Sequence, residues 1–185
     1  RVAMTNPDIL DVTGMFCAGK FYKFLSVKEG RNTVILNNVL KALKKGRKVL
    51  ALTHAAAHPA ILAEHAAEDR QFSEFSNYKV GCVTGDTSGP DRTKIIEDSD
   101  VTFATFQVAK EGLDVAALDT VFFLTPFKNW GSLQQGKGRV ERLSPGKKDP
   151  LVVILDDYNI PPANAMCRSL RRSLRANGFT FRDLR

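Results

Sequence analysis

Five short, almost wholly apolar runs recur along this chain, at 48–53, 79–84, 101–106, 120–125 and 151–155. Each has the length of a strand, and a strand apolar on both sides is one covered on both faces. The intervening segments carry helical patterns. At 33–45, Val34, Ile35, Val39, Leu40 and Leu43 fall near one helical face, with Asn32 placed to cap the start and Gly46 to stop the end. The alanine-rich stretch 56–69 tolerates Pro59 only in its first turn, and 91–98 follows a Gly85-Asp86 turn. Strands alternating with helices predict an α/β three-layer sandwich: a mainly parallel sheet with helices on both faces. A last, arginine-rich helix is expected over 163–176. Residues 1–30 read as an irregular leading segment, broken by Pro7, Gly14, Gly19 and Gly30, with a short helix about 21–25.

The 185 residues are 43% hydrophobic and 25% charged, enough for one sizeable core. The net charge of +7 is unevenly spread: beyond Tyr158 six arginines (Arg168, Arg171, Arg172, Arg175, Arg182, Arg185) face the single acid Asp183, so five of the seven net charges lie there. Such a basic patch points to a polyanionic partner, nucleic acid first. Cys17, Cys82 and Cys167 are odd in number and widely separated, giving neither a disulfide framework nor zinc spacing; a reducing, intracellular compartment is expected. No apolar run approaches the roughly 20 residues of a membrane span, so no membrane partner is expected. The chain opens on Arg1 rather than methionine, which leads us to expect a piece of a longer protein.

In open α/β sheets ligands gather at the carboxyl ends of the strands, so the segments after Thr53, Thr84, Phe106 and Thr125 are where chemistry is expected. Two stretches there stand out. Gln135, Gly138, Arg139 and Arg142 form the pattern Q-x-x-G-R-x-x-R between the fourth and fifth apolar runs. On a helix Gln135, Arg139 and Arg142 would share a face, and two guanidinium forks on one face can grip a phosphoryl group. The second stretch runs from Thr105, at a strand end, to Gly112, which permits close backbone approach, and Asp114, an acceptor for a ribose hydroxyl or a basic partner.

Three other patterns carry less. Residues 14–20 fit G-x-x-x-x-G-K, but Phe21 stands where the magnesium-binding Ser or Thr of a phosphate loop belongs, and no apolar strand precedes it. Asp156 and Asp157 after the fifth run read as strand-end acids. His54, His58 and His65 lack a carboxylate or cysteine to complete a metal site, so surface or capping roles are expected and no metal site.

With both stretches in place, the chain resembles the second, C-terminal RecA-like domain of a superfamily 2 helicase. The octet 135–142 matches motif VI, Thr105 with Glu111-Gly112-Leu113-Asp114 matches motif V, and 49–54 occupies the motif IV strand. Gly85 with Arg92 resembles the G-x-x-x-x-x-x-R element between them. Arg31-Asn32 before the first helix, with its gap to motif IV, is similar to the type in phage and large-DNA-virus helicases. The resemblance implies that Arg142 is an arginine finger at the γ-phosphate, Arg139 its companion and Gln135 a polar contact to nucleotide or facing domain. Gly112, Asp114 and Glu111 would serve the nucleotide, and His54, Thr84, Gly85, Thr105 and Lys110 the nucleic-acid backbone. His54 departs from the arginine that relatives often carry, which puts the motif IV contact in question.

The implied cofactor is ATP with Mg2+, the metal held by an N-terminal RecA-like domain that these residues do not contain. The implied partners are that domain and nucleic acid, DNA favoured over RNA; a viral source would place the protein in host cytoplasm or virion. On this reading 1–30 links from the N-terminal ATPase domain, 31–160 is the RecA-like domain, and 161–185 is a basic helix and tail. The fragment alone should not hydrolyse ATP. Two rivals remain: a non-catalytic RecA-like nucleic-acid-binding module, and a complete small P-loop enzyme using Lys20.

Overall fold

The computed structural model describes residues 7–110, 117–127, 148–176, 178 and 180. Among these, five parallel strands form one sheet in the order β2-β3-β1-β4-β5: β1 Val49–Thr53, β2 Val80–Val83, β3 Val101–Thr105, β4 Thr120–Phe123 and β5 Leu151–Ile154. Burial follows position. The central strands β3, β1 and β4 are buried almost residue for residue, whereas β2 and β5, at the two edges of the described sheet, are only partly covered. Strands flanked on both sides and covered on both faces lose all contact with water, whereas edge strands keep part of it.

The helices are α1 Ala18–Ser26, α2 Glu29–Lys44, α3 His58–Glu68, α4 Gly89–Asp98, the short α5 Phe106–Lys110, and α6 Pro161–Ala176. One face of the sheet is covered by α2, α3 and a 3-10 segment, Arg70–Asn77, whose Phe72 and Phe75 pack with Val49, Ala51, Phe103 and Phe122. On the other face α4, α5 and α6 bring Ile96, Phe106, Leu170 and Leu174 onto Leu50, Leu52, Ala104 and Phe123. The α/β three-layer RecA-like sandwich expected from the sequence is therefore the architecture. A third cluster joins Phe21 and Leu25 of α1 to Ala163 and Met166 of α6, so the leading segment packs on the start of the basic helix.

Chain direction is set by local chemistry. Gly46 adopts φ +65 just past α2, and the N–H groups of Gly46 and Arg47 close on the carbonyls of Leu43 and Ala42. This is the left-handed stop that glycine makes without strain. Ser88 caps α4, its Oγ accepting from the N–H of Asp91 at 3.4 Å.

At the start of α2 the expectation is corrected. Asn32 does not cap the helix; α2 begins at Glu29, and Arg31 and Asn32 lie inside it rather than before it. Asn32 is buried because its amide answers two polar groups there: Nδ2 donates to the Ser26 carbonyl at 2.8 Å, and Oδ1 lies 3.0 Å from His58 Nε2. His58 is corrected with it, being fully buried rather than at the surface. The 3-10 segment 70–77 has no counterpart among the expected elements, although Phe72 and Phe75, three residues apart, match its three-residue turn.

Candidate functional site at the carboxyl ends of the strands

The sheet register aligns the strand ends. Thr53 of β1 stands opposite Thr105 of β3, and β2 pairs Val83 with Ala104, so Thr84 continues toward Thr105. The strand order reverses beside β1, with β2 and β3 on one side and β4 and β5 on the other, and the crevice at such a switch point is where ligands sit in open α/β sheets.

One residue further along, a second row crosses the same ends. The His54 ring stacks on Phe106, with centroids 4.0 Å apart at 23°. On its other side Tyr22 of α1 stacks at 4.7 Å and 15°. Thr125 Oγ1, after β4, accepts the His54 backbone N–H at 3.0 Å and lies 2.9 Å from His54 Nδ1. His54 is thus fixed in ring plane and height by three elements distant in sequence. Burial raises the Tyr22 phenol above its usual range. Sequence reasoning named His54 but missed Tyr22, because nothing in local spacing signals a stacking partner 32 residues away.

The Gly85 turn is braced by Arg92, as the paired spacing suggested. Arg92 Nε donates to the Thr87 carbonyl at 2.6 Å and Nη2 to the Gly85 carbonyl at 3.2 Å, while the Thr84 N–H donates to Thr87 Oγ1 at 3.1 Å. Space around Gly85 is open where a Cβ would project. Arg92 therefore shapes the loop from within.

Thr105 Oγ1 is buried with no hydrogen-bond partner among the described residues, as are Thr102 Oγ1 of the same strand, Arg31 Nη1 and Asp156 Oδ1; Thr105 is the one of these at the end of β3 beside the crevice. An unsatisfied buried hydroxyl costs about 1–3 kcal/mol, so it invites an external acceptor or donor. Lys110 ends α5, and its side chain lies outside the described set, as do Glu111, Gly112, Asp114, Gln135, Arg139 and Arg142.

Behind the crevice lies a buried ion pair that the sequence did not predict. Arg31 Nε donates to Asp157 Oδ1 at 2.7 Å and Nη2 to Oδ2 at 2.9 Å, with Nη2 also reaching the Leu124 carbonyl. Asp157, read as a strand-end acid, ties the end of β5 to α2. Its neighbour Asp156 holds Arg171 of α6 at 2.5 Å. The Gly14–Lys20 stretch forms no phosphate cradle: Leu10 pairs antiparallel with Phe16 around a turn in which Asp11 accepts from Thr13 and Met15, and α1 has begun by Ala18.

The helicase conserved C-terminal domain family matches residues 23–144, well over half of the chain. This chain belongs to that family. The matched span contains both the crevice loops and the octet 135–142. No curated protein sequence matches the chain. Among solved structures, domain 2 of the DEAD-box helicase Mss116p, bound to an RNA duplex, is similar with a TM-score of 0.60 at 15% identity, over 83% of this chain and 58% of that one. The C-terminal part of the Fun30 ATPase domain gives 0.57 at 17% identity, over 73% and 44%. T4 UvsW gives 0.56 at 17% identity, over 76% and 28%. At these identities the likeness is one of fold, and the chain spans between 28% and 58% of those chains. Within this helicase C-terminal domain, the crevice row Thr84, Thr105, Thr53 and the His54 stack occupy the ends of adjacent strands. The helicase C-terminal reading made from the two motifs agrees with this family match.

Proposed function

We propose that this domain is the C-terminal half of an ATP-dependent nucleic-acid translocase or helicase, acting on DNA in preference to RNA, and that it lacks ATPase activity alone. The observation that carries the reading is the buried Thr105 hydroxyl, without a partner among the described residues, at the strand-end crevice of a chain matched across 23–144 by the helicase C-terminal family. A hydroxyl and the open space at Gly85 suit a phosphate oxygen, which needs donors and close approach rather than base-reading groups. His54, Thr84, Gly85, Thr105 and Lys110 would line that track.

Arg142, Arg139 and Gln135, with Glu111, Gly112 and Asp114, would face an ATP molecule held by an N-terminal RecA-like domain, which would also hold Mg2+. A finger that reaches the γ-phosphate only when the domains close couples hydrolysis to their relative movement. The preference for DNA rests on the sequence resemblance to phage and large-DNA-virus helicases alone.

The test is nucleic-acid-stimulated ATPase of the protein carrying both domains, wild type against Arg142→Ala. A loss of about 10³–10⁵ in turnover is expected, as for other fingers. Near-wild-type turnover would remove the assignment. Competition between DNA and RNA oligonucleotides as stimulators checks the preference. Binding that is indifferent to nucleotide, in a protein without an ATPase domain, would favour the non-catalytic module instead.

A further inference from the structure

Helix α6 contains a tandem repeat, Arg168-Ser169-Leu170-Arg171 followed by Arg172-Ser173-Leu174-Arg175. A four-residue period places equivalent positions one turn apart on nearly the same helical face. Leu170 and Leu174 accordingly go into the core, continuing a buried stripe from Ala163, Met166 and Cys167. Arg168, Arg172 and Arg175 lie on the exposed side, while Arg171 is drawn off to Asp156.

The helix is therefore anchored by its own apolar face and the Arg171–Asp156 ion pair, and it presents a cationic ridge with no acidic residue anywhere along Pro161–Ala176. Residue choice sharpens the point. Beyond Tyr158 every basic residue is arginine, six of them, although the preceding part of the chain uses more lysines than arginines. A ridge needed only for solubility gains nothing from arginine, whereas planar forks match phosphate oxygens two at a time.

We propose that the α6 ridge is a second phosphate-binding surface, outside the helicase motifs, that holds nucleic acid entering or leaving the strand-end crevice. It rests on the reading of this domain as a nucleic-acid translocase. Topology supports the placement: only residues 155–160 separate the carboxyl end of β5 from α6, so the helix starts near the crevice end of the sheet and the ridge runs away from it. Arg168 and Arg172 are separated by a rise of about 6 Å, close to two nucleotide steps of roughly 3.4 Å along one strand. An anionic membrane surface fits less well, because the other exposed positions of α6 are Pro161, Ala165 and Ala176, with no bulky apolar group to insert.

The experiment is binding of this chain to a fluorescent 20-nucleotide DNA, single-stranded and duplex, over a salt series, comparing wild type with the triple variant Arg168→Ala/Arg172→Ala/Arg175→Ala. Each lost phosphate contact lowers the slope of log affinity against log salt by about 0.7 for single strands and about 0.9 for duplex. A fall of about 2 to 3 in slope, with affinity reduced at least tenfold near 0.1 M salt and converging toward 1 M, is the expected result. An unchanged slope with intact circular dichroism overturns the ridge while leaving the helicase reading in place. Wild-type chain that binds no oligonucleotide at all counts against both. Loss confined to binding of phosphatidylserine vesicles would overturn the proposal in favour of a membrane surface. The triple lysine variant guards against a folding artefact: it should keep most of the slope and lose part of the affinity.

Discussion

Asn32 Oδ1 and His58 Nε2 lie 3.0 Å apart in the buried space between α2 and α3, and this pair selects one form of the imidazole. Asn32 Nδ2 already donates to the Ser26 carbonyl, so Oδ1 must accept and Nε2 must carry a proton. Nδ1, 3.0 Å from Thr53 Oγ1, is then the acceptor of a neutral ring. Burial, assisted by the nearby Arg31 charge, lowers the His58 pKa to about 3. Below the unfolded value near 6.5 the unfolded chain binds the proton and the folded chain does not, so stability falls as pH falls through the window from 6.5 to 3. Between pH 7.5 and 5 the loss is about 2 kcal/mol from this one residue. Urea unfolding at both pH values should show it, and His58→Gln, less stable at neutral pH, should show a flatter dependence. An equal slope in both proteins would refute the assignment.

The Arg31–Asp157 pair makes a different prediction. Both side chains are about nine-tenths buried, at 9% and 12% exposed, so removing one partner strands the other charge. Arg31→Met should cost about 3–5 kcal/mol, whereas Arg31→Met/Asp157→Leu should recover part of that loss, because no buried charge remains. Denaturant midpoints of the two single variants and the double variant measure the coupling. Additive losses would show that the pair does not act as a unit.

The sheet was legible because its signal is local: in β1, β3 and β4 the runs are mostly apolar, broken only by threonines, and buried at nearly every position, as strands covered on both faces are. The α2 start was not, because Asn32 satisfies every sequence rule for a cap and yet is pulled into the core by a carbonyl and a histidine that meet it only in the folded chain. Candidate site residues divide the same way. Thr84, Thr105, His54 and Thr125 could be named because strand ends follow from strand positions, while the Tyr22 stack and the Arg31–Asp157 pairing arise only across 32 and 126 residues of chain. The octet and the Glu111–Asp114 stretch rest on their sequence pattern, since they lie outside the described residues.

Gly81 marks where α4 meets β2. A Cβ built there would meet Ser99 Oγ below contact distance and Ile95 Cγ2 at 2.8 Å. Ser99 Oγ is not free to yield, being held to the Ile95 carbonyl at 2.6 Å. Gly81→Ala should therefore destabilise by about 1–3 kcal/mol through overpacking, against the small gain that alanine brings at an unhindered site. Thermal unfolding checks this, and a stabilised variant would mean that α4 shifts without cost.

Thr105 separates structure from function most cleanly. If its buried hydroxyl has no internal partner, Thr105→Val removes an unsatisfied group and keeps the shape, so stability should hold or rise by up to about 1 kcal/mol. If the hydroxyl serves a phosphate oxygen, the same substitution removes a charge-assisted hydrogen bond of about 1.5–3 kcal/mol, or roughly 10- to 100-fold in nucleic-acid affinity. Thr105→Ser should retain binding, since the donor remains. The opposite directions of the two readouts give the test its force: a damaged fold lowers stability and affinity together, and only a ligand contact lowers affinity while leaving unfolding unchanged. Val and Ser variants that bind alike would assign the hydroxyl to neither role.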